Sequence, residues 1–230
     1  RLDLHMDVNV DVVRPLGDGV ELDLDDGTRV EGDMLLIATG RWPNGDLLHV
    51  EAGGVDRHSD GRVVVDDTGA TTAPGVWALG DVSSPHQLKH VANHEAAVVA
   101  HNLLHPDEPR TIDHRAVPHA VFGDPQVASV GLTERQARAE GLDYSVAIRS
   151  YGDTAYGWAM EDTESVCKLI ADANTRLLLG AHILGPQAST LIQQLIQGMT
   201  FGNTVDQMAH EQLYIHPALS EVGEQALLDL

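Results

Sequence analysis

The sequence predicts a mixed fold, α/β in its first half and α+β in its second, and three observations carry that expectation. The opening stretch RLDLHMDVNVDVVRPLGDGVELDLDDGTRVEGDMLLIATG alternates apolar and polar residues in short runs broken by GDG and DDG, the pattern of antiparallel strands joined by tight turns. Two continuously apolar runs, Met34 to Ala38 and the GVWALGD segment, stop at a glycine, as buried strands do where backbone must approach a ligand. In the second half, Leu191, Ile192, Leu195, Ile196 and Met199 recur at helical spacing between strand-like runs.

Taken in order, the meander is expected to end in a buried strand over Met34 to Ala38, followed by a loop that begins at Arg41, Trp42 and Pro43. A strand over Arg62 to Val65 leads through the turn-rich DDTGATTAPG to a second buried strand that stops at Gly80 and Asp81. A helix follows. The run HPDEPR, with two prolines among its charges, favours neither helix nor strand and reads as a linker. Beyond it, HAVF is strand-like, and Thr133 with Gln136 forms a capping-box pair opening a short helix that Gly141 closes. Strands are expected over Val166 to Ile170 and Leu177 to Leu184, and a last helix from about Ser220.

Composition narrows the function. A chain of 230 residues with 43% apolar side chains can fill a real core. Fourteen Lys and Arg against 35 Asp and Glu give a formal net charge of −21, a surface that repels nucleic-acid phosphates and anionic bilayers. Neither partner is expected. There is no long apolar run and no secretory-type start, so a cytoplasmic location is expected. Cys167 is the only cysteine, which excludes a disulfide or a thiolate zinc site within this chain; in the alternating VCKLI it reads as a small core residue.

The post-GDV helix holds a conspicuous stripe, His86, His90, His94, His101 and His105. At about 100° per residue these fall within roughly a third of a turn. Ligands at i, i+4 and i+8 nevertheless span about 12 Å along the axis, too far to close on one tetrahedral zinc with bonds of about 2 Å. The stripe is therefore read as structural, and no metal is expected. More informative are ATG at 38 to 40 and ALGDV at 78 to 82. A glycine at a strand end admits a ligand's close approach, and a carboxylate after it can accept from sugar-type hydroxyls.

In this order, DMLLIATGRWPN, DGRVVVDDTGATTAPGVWALGDV, VFGDPQVASVGLTE and IHPALSE resemble the C-terminal half of the flavin-dependent pyridine-nucleotide disulfide oxidoreductases. The resemblance implies residues 1–35 as the tail of an NAD(P)-binding domain, 36–108 as a central FAD-contacting segment and 109–230 as an interface domain that makes a homodimer. It implies FAD and NADPH as cofactors. Asp81 would accept from the ribityl chain of FAD, Gly80 would let the backbone close in, and Leu88, Lys89, His90, Val91 and Ala92 would start a helix against the flavin ring. A helix start carries partial positive charge, which suits negative charge developing on that ring. Relatives often carry a small hydroxyl residue where Lys89 stands, so the expected contacts there are those of the backbone. Gly40 would lie near the nicotinamide nucleotide.

The resemblance also gives His216 and Glu221 as a catalytic pair, with a cis bond between His216 and Pro217 and service to the partner subunit's site. Disulfide exchange needs a thiolate attacker and a protonated leaving thiol, and an imidazole can carry that proton. Within the family, SSPHQLKHVANHEAAVVAHNLL, YGDTAYGWAMEDT and IHPALSEVGEQALL are most similar to the branch that reduces mycothione, a small-molecule disulfide, with NADPH. A dihydrolipoamide dehydrogenase and a non-catalytic dimerisation module remain as alternatives. A redox cysteine pair and a glycine fingerprint are both missing, so the sequence is expected to be part of a longer protein.

Overall fold

The structure is a computed structural model that describes residues 2–230, and it separates into two units, Arg1–Trp42 and Pro43–Leu230. Arg1, the first residue of the predicted 1–35 segment, lies outside the described residues.

The first unit is an antiparallel meander of β1 (Val10–Leu16), β2 (Gly19–Leu24) and β3 (Arg29–Gly32). Leu16 pairs with Gly19 across a two-residue turn in which Gly17 takes φ +59°, a conformation that costs a glycine nothing. Arg14 and Arg29 bridge Glu21 and Asp23 across the strands. The predicted buried strand at Met34 to Ala38 does not form: these residues lie outside any strand, with Met34 91% and Leu36 87% exposed. A continuously apolar strand is stable only with neighbours on both edges and both faces, and this meander supplies none.

In the second unit, residues 43–88 are mostly irregular, tied by isolated bridges at Arg57–Val63, Val65–Thr71 and Ala70–Trp77 around a small core of Val55, Val63 and Ala73. The strands predicted at Arg62 to Val65 and in GVWALGD are thus reduced to single bridged pairs, because no continuous strand runs beside them to complete a ladder. The chain then turns tightly over Gly80–Val82 and enters α1 (Lys89–Leu104).

The main core is a five-stranded antiparallel sheet of order β4-β5-β8-β7-β6, built from β4 (Pro118–Val121), β5 (Val127–Gly131), β6 (Tyr144–Ser150), β7 (Val166–Asp172) and β8 (Leu178–Leu184). Alternate residues Ala128, Val130, Cys167, Leu169, Ala181 and Ile183 are buried in one cluster with residues of α4 (Ala188–Leu191), α5 (Gln193–Phe201), α6 (Val205–His210) and α7 (Glu221–Leu228). In the register between, Lys168 pairs with Glu134 of α2 (Glu134–Ala139). α2 opens on the expected Thr133–Gln136 capping box, and Gly141 follows at φ +69°. Sequence reading passed over β5, β6, α6 and a one-turn helix, α3 (Ala155–Ala159), that Thr154 caps.

Candidate functional site

Two constellations in the second unit contain the sequence-predicted residues other than Gly40. The first surrounds the Gly80–Val82 turn. Gly80 is buried at φ +70°, and a Cβ there would come 3.3 Å from the Ala92 Cβ, so turn and helix meet closely. Asp81 follows on the exposed side. Leu88 is extended and precedes α1 without any side-chain cap, and the first intrahelical bond runs from Ala92 N to Leu88 O at 3.0 Å. The N–H groups of Lys89, His90 and Val91 thus have no intrahelical acceptor, and the first turn holds no acidic residue to use them. A turn open to close approach and a helix start rich in donors suit an electron-rich ring with a hydroxylated chain, so these residues fit a flavin. The Lys89 ammonium bonds to Asn93 along the exposed side of the helix, leaving the backbone as the contact at that position.

One residue of this constellation escaped sequence reading. Glu95 is buried on α1, its Oε2 accepting from Gly80 N at 2.6 Å and its Oε1 from His114 Nε2 at 3.0 Å. Its sequence signal is its place among Val91, Val98, Val99 and Asn102, the buried face of the helix. His86 meets His114 edge to face at 5.1 Å. Burial, joined by repulsion from His114, holds the His86 imidazole below its usual range.

The second constellation is at the C-terminal end. The His216–Pro217 bond is cis, and His216 Nδ1 lies 2.8 Å from Glu221 Oε1. A carboxylate only accepts, so Nδ1 carries the hydrogen and Nε2 keeps a free lone pair. The second oxygen of Glu221 accepts from Ala218 N at 3.0 Å, which fixes the carboxylate plane. The acid is 12% exposed and the imidazole 68%, so a sheltered carboxylate presents an accessible ring. Burial alone would raise the Glu221 carboxyl, but the bonds from His216 and Ala218 outweigh it and hold it below the usual range. Such a ring can take a proton at Nε2 and return it. Phe201, Leu213 and Ile215 are each at least 74% exposed, and Ile215 directly precedes His216.

Gly40 lies in the first unit at φ +113°, exposed, with open space where a Cβ would stand. Among the described residues no group of three or more His, Cys, Asp and Glu could hold a metal ion, and no helix is long and apolar enough to cross a membrane.

Residues 1–101 match the family model of the pyridine nucleotide-disulphide oxidoreductases, and residues 117–227 match that of their dimerisation domain. The chain is 61% identical over 218 residues to the mycothione reductase of Mycobacterium tuberculosis, covering 93% of this chain and 47% of that protein. It is 34% identical to the dihydrolipoyl dehydrogenase of Halobacterium salinarum, covering 98% of this chain and 48% of that one. Among solved structures, the HOCl-induced flavoprotein disulfide reductase RclA from Escherichia coli superposes with a TM-score of 0.83 at 30% identity, over 96% of this chain and 50% of that chain. The chain spans about half the length of the curated relatives it matches.

Proposed function

Because the chain belongs to the pyridine nucleotide-disulphide oxidoreductases, we propose that it forms part of a homodimeric flavoprotein that uses FAD and NADPH to reduce mycothione. In this reading residues 1–35 end the NAD(P)-binding domain, with Gly40 just beyond them near the nicotinamide nucleotide. Residues 36–108 carry the FAD contacts, Gly80, Asp81 and the Leu88–Ala92 helix start, and residues 109–230 form the dimer interface.

The observation that carries the proposal is the hydrogen-bonded His216–Glu221 pair with its outward Nε2. When bound, FAD would supply the reducing equivalents that convert a disulfide into a thiolate. His216 takes up the proton that the attacking thiol loses as it becomes this thiolate, and returns it to the thiolate that leaves the substrate disulfide. Glu221 keeps the ring in the tautomer that exposes Nε2. Cys167 takes no part, since it is fully buried in the sheet and its thiol is pushed up to about 12 by burial. The exposed Phe201, Leu213 and Ile215 suit coverage by a second copy, and in this reading His216 serves a cleft shared with it.

Identity to mycothione reductase favours mycothione over lipoamide as the substrate. The test is to assay the whole protein for NADPH oxidation with mycothione, glutathione disulfide and lipoamide side by side, wild type against His216→Ala. Turnover with mycothione that falls about 10² to 10⁴-fold in the variant is expected, the usual worth of an acid–base group. Preference for lipoamide would replace the substrate with that of the dihydrolipoyl enzymes. Equal turnover in the variant would remove His216 from the chemistry.

A further inference from the structure

The least expected group near the Gly80 turn is a carboxylate with almost no access to water. The Glu95 side chain is 3% exposed, yet the roles assigned to Asp81 and the α1 start make no use of it. A carboxylate taken out of water has to be matched by donors, and the two it finds come from different segments. Gly80 N–H, at the start of the turn, gives a short bond of 2.6 Å, and His114, beyond the end of α1, gives one of 3.0 Å. Glu95 thus joins three parts of the chain: the turn, the helix and the strand-bound segment after the linker.

We propose that Glu95 is a positioning residue, whose carboxylate holds Gly80 N–H and His114 so that the Gly80–Asp81 turn keeps the shape that receives a flavin. This rests on the flavoprotein reading above. The geometry is specific. Gly80 takes φ +70°, and a Cβ built there would come 3.3 Å from the Ala92 Cβ, so the turn lies close against the helix. Its N–H is taken by the Glu95 carboxylate. Release of that bond would leave a buried donor unpaired, and the turn would rotate to find another acceptor, carrying Asp81 with it. The other charged and titratable groups near this centre are His86, edge to face on His114, and Arg62, which reaches the Ser83 carbonyl at 3.4 Å. His58, Asp66 and Asp67 line the same cavity of about 280 Å³.

Geometry and charge make opposite forecasts for two conservative variants. Glu95→Gln keeps the length of the side chain: its carbonyl oxygen can accept from Gly80 N–H while its amide donates to a His114 ring protonated on Nδ1. Glu95→Asp keeps the charge but falls short by about 1.5 Å, one carbon–carbon bond, so it cannot hold both donors. The experiment uses the full-length protein, wild type, Glu95→Gln and Glu95→Asp. Flavin is stripped and titrated back by fluorescence quenching, and the flavin absorption spectrum and melting temperature are recorded. The expected order is Glu95→Gln within threefold of wild-type flavin affinity and Glu95→Asp at least tenfold weaker with a shifted spectrum. Glu95→Asp binding as well as Glu95→Gln, or better, would overturn the positioning role while leaving the flavoprotein reading intact. A wild-type protein with no affinity for flavin would overturn that reading instead.

Discussion

Replacing Glu221 with Gln tests how the His216 ring is prepared for proton transfer. In the native pair both carboxylate oxygens accept, one from His216 Nδ1–H at 2.8 Å and one from Ala218 N–H at 3.0 Å. A carboxamide has one oxygen for these two donors, and backbone N–H groups cannot change their chemistry. The oxygen therefore stays with Ala218, and the amide hydrogens face Nδ1. The ring can satisfy them only by moving its hydrogen to Nε2, which removes the lone pair that accepts the proton. Relative to the native pair, the active tautomer has lost its hydrogen bond to an ionised group, worth about 1.5–3 kcal/mol. At 1.36 kcal/mol per factor of ten, kcat should fall by about 10 to 150-fold. The Ala218 anchor is retained, so melting temperature should change little. Steady-state turnover of the full-length enzyme from about pH 6 to about pH 9 is the assay, spanning the range where imidazole titrates. A variant with unaltered kcat and pH profile would show that the Glu221 bond does not set the ring's state.

The sheet offers a packing test: Leu195 is fully buried in the main cluster, and Leu195→Ala should cost about 2–5 kcal/mol in urea unfolding, with a smaller loss pointing to local collapse. Gly180→Ala would drive a methyl group into the Leu132 carbonyl and should destabilise by about 3 kcal/mol or more, whereas an unchanged urea midpoint would contradict that close approach. His86 and His182 are held below their usual value of 6.5, each by burial first, so the stability they contribute is present above that pH and lost as pH falls through their lowered values. Asp113, held down to about 2 by Arg115, adds a loss between its usual 3.8 and that value, and a urea midpoint that rises on acidification would refute both signs. Buried Cys167, its thiol pushed up to about 12, should resist iodoacetamide in the native protein and react fully in urea.

What the sequence disclosed follows the range of the forces involved. The Thr133–Gln136 cap and the hydrogen bond between His216 and Glu221 join residues three and five apart, and both form. The β7 and β8 runs alternate because one face of each packs on helices, and they too were legible. Met34 to Ala38 has the composition of a central strand, but strandedness belongs to a ladder, and the missing neighbours are invisible in the run itself. β6 was passed over for a related reason: it has intermediate burial at most positions and pairs along one edge with β7 alone. Glu95 hides in plain sight, since an acid between histidines reads as a solvated residue until the helix is seen to turn it inward.

The histidine stripe takes its meaning from the same helix. His90 Nε2 donates to the Pro118 carbonyl at 2.8 Å, His94 Nε2 accepts from Asp113 N–H at 3.3 Å, and His101 Nε2 donates to the Glu108 carbonyl at 2.9 Å. Asn102, next to His101, bonds both the carbonyl and the N–H of Arg110. Each partner lies in the stretch from Glu108 to Pro118 that leads into the sheet. This stretch passes along the helix without forming a ladder of its own, so its backbone groups depend on side chains for partners. Imidazoles spaced four and seven residues apart supply them along the chain, as donors or acceptors according to tautomer. A metal would have to break these bonds to recruit the rings. The stripe is therefore a clamp: it fixes the segment that carries His114 to the helix that carries Glu95, and through Glu95 it sets the turn proposed to meet the flavin.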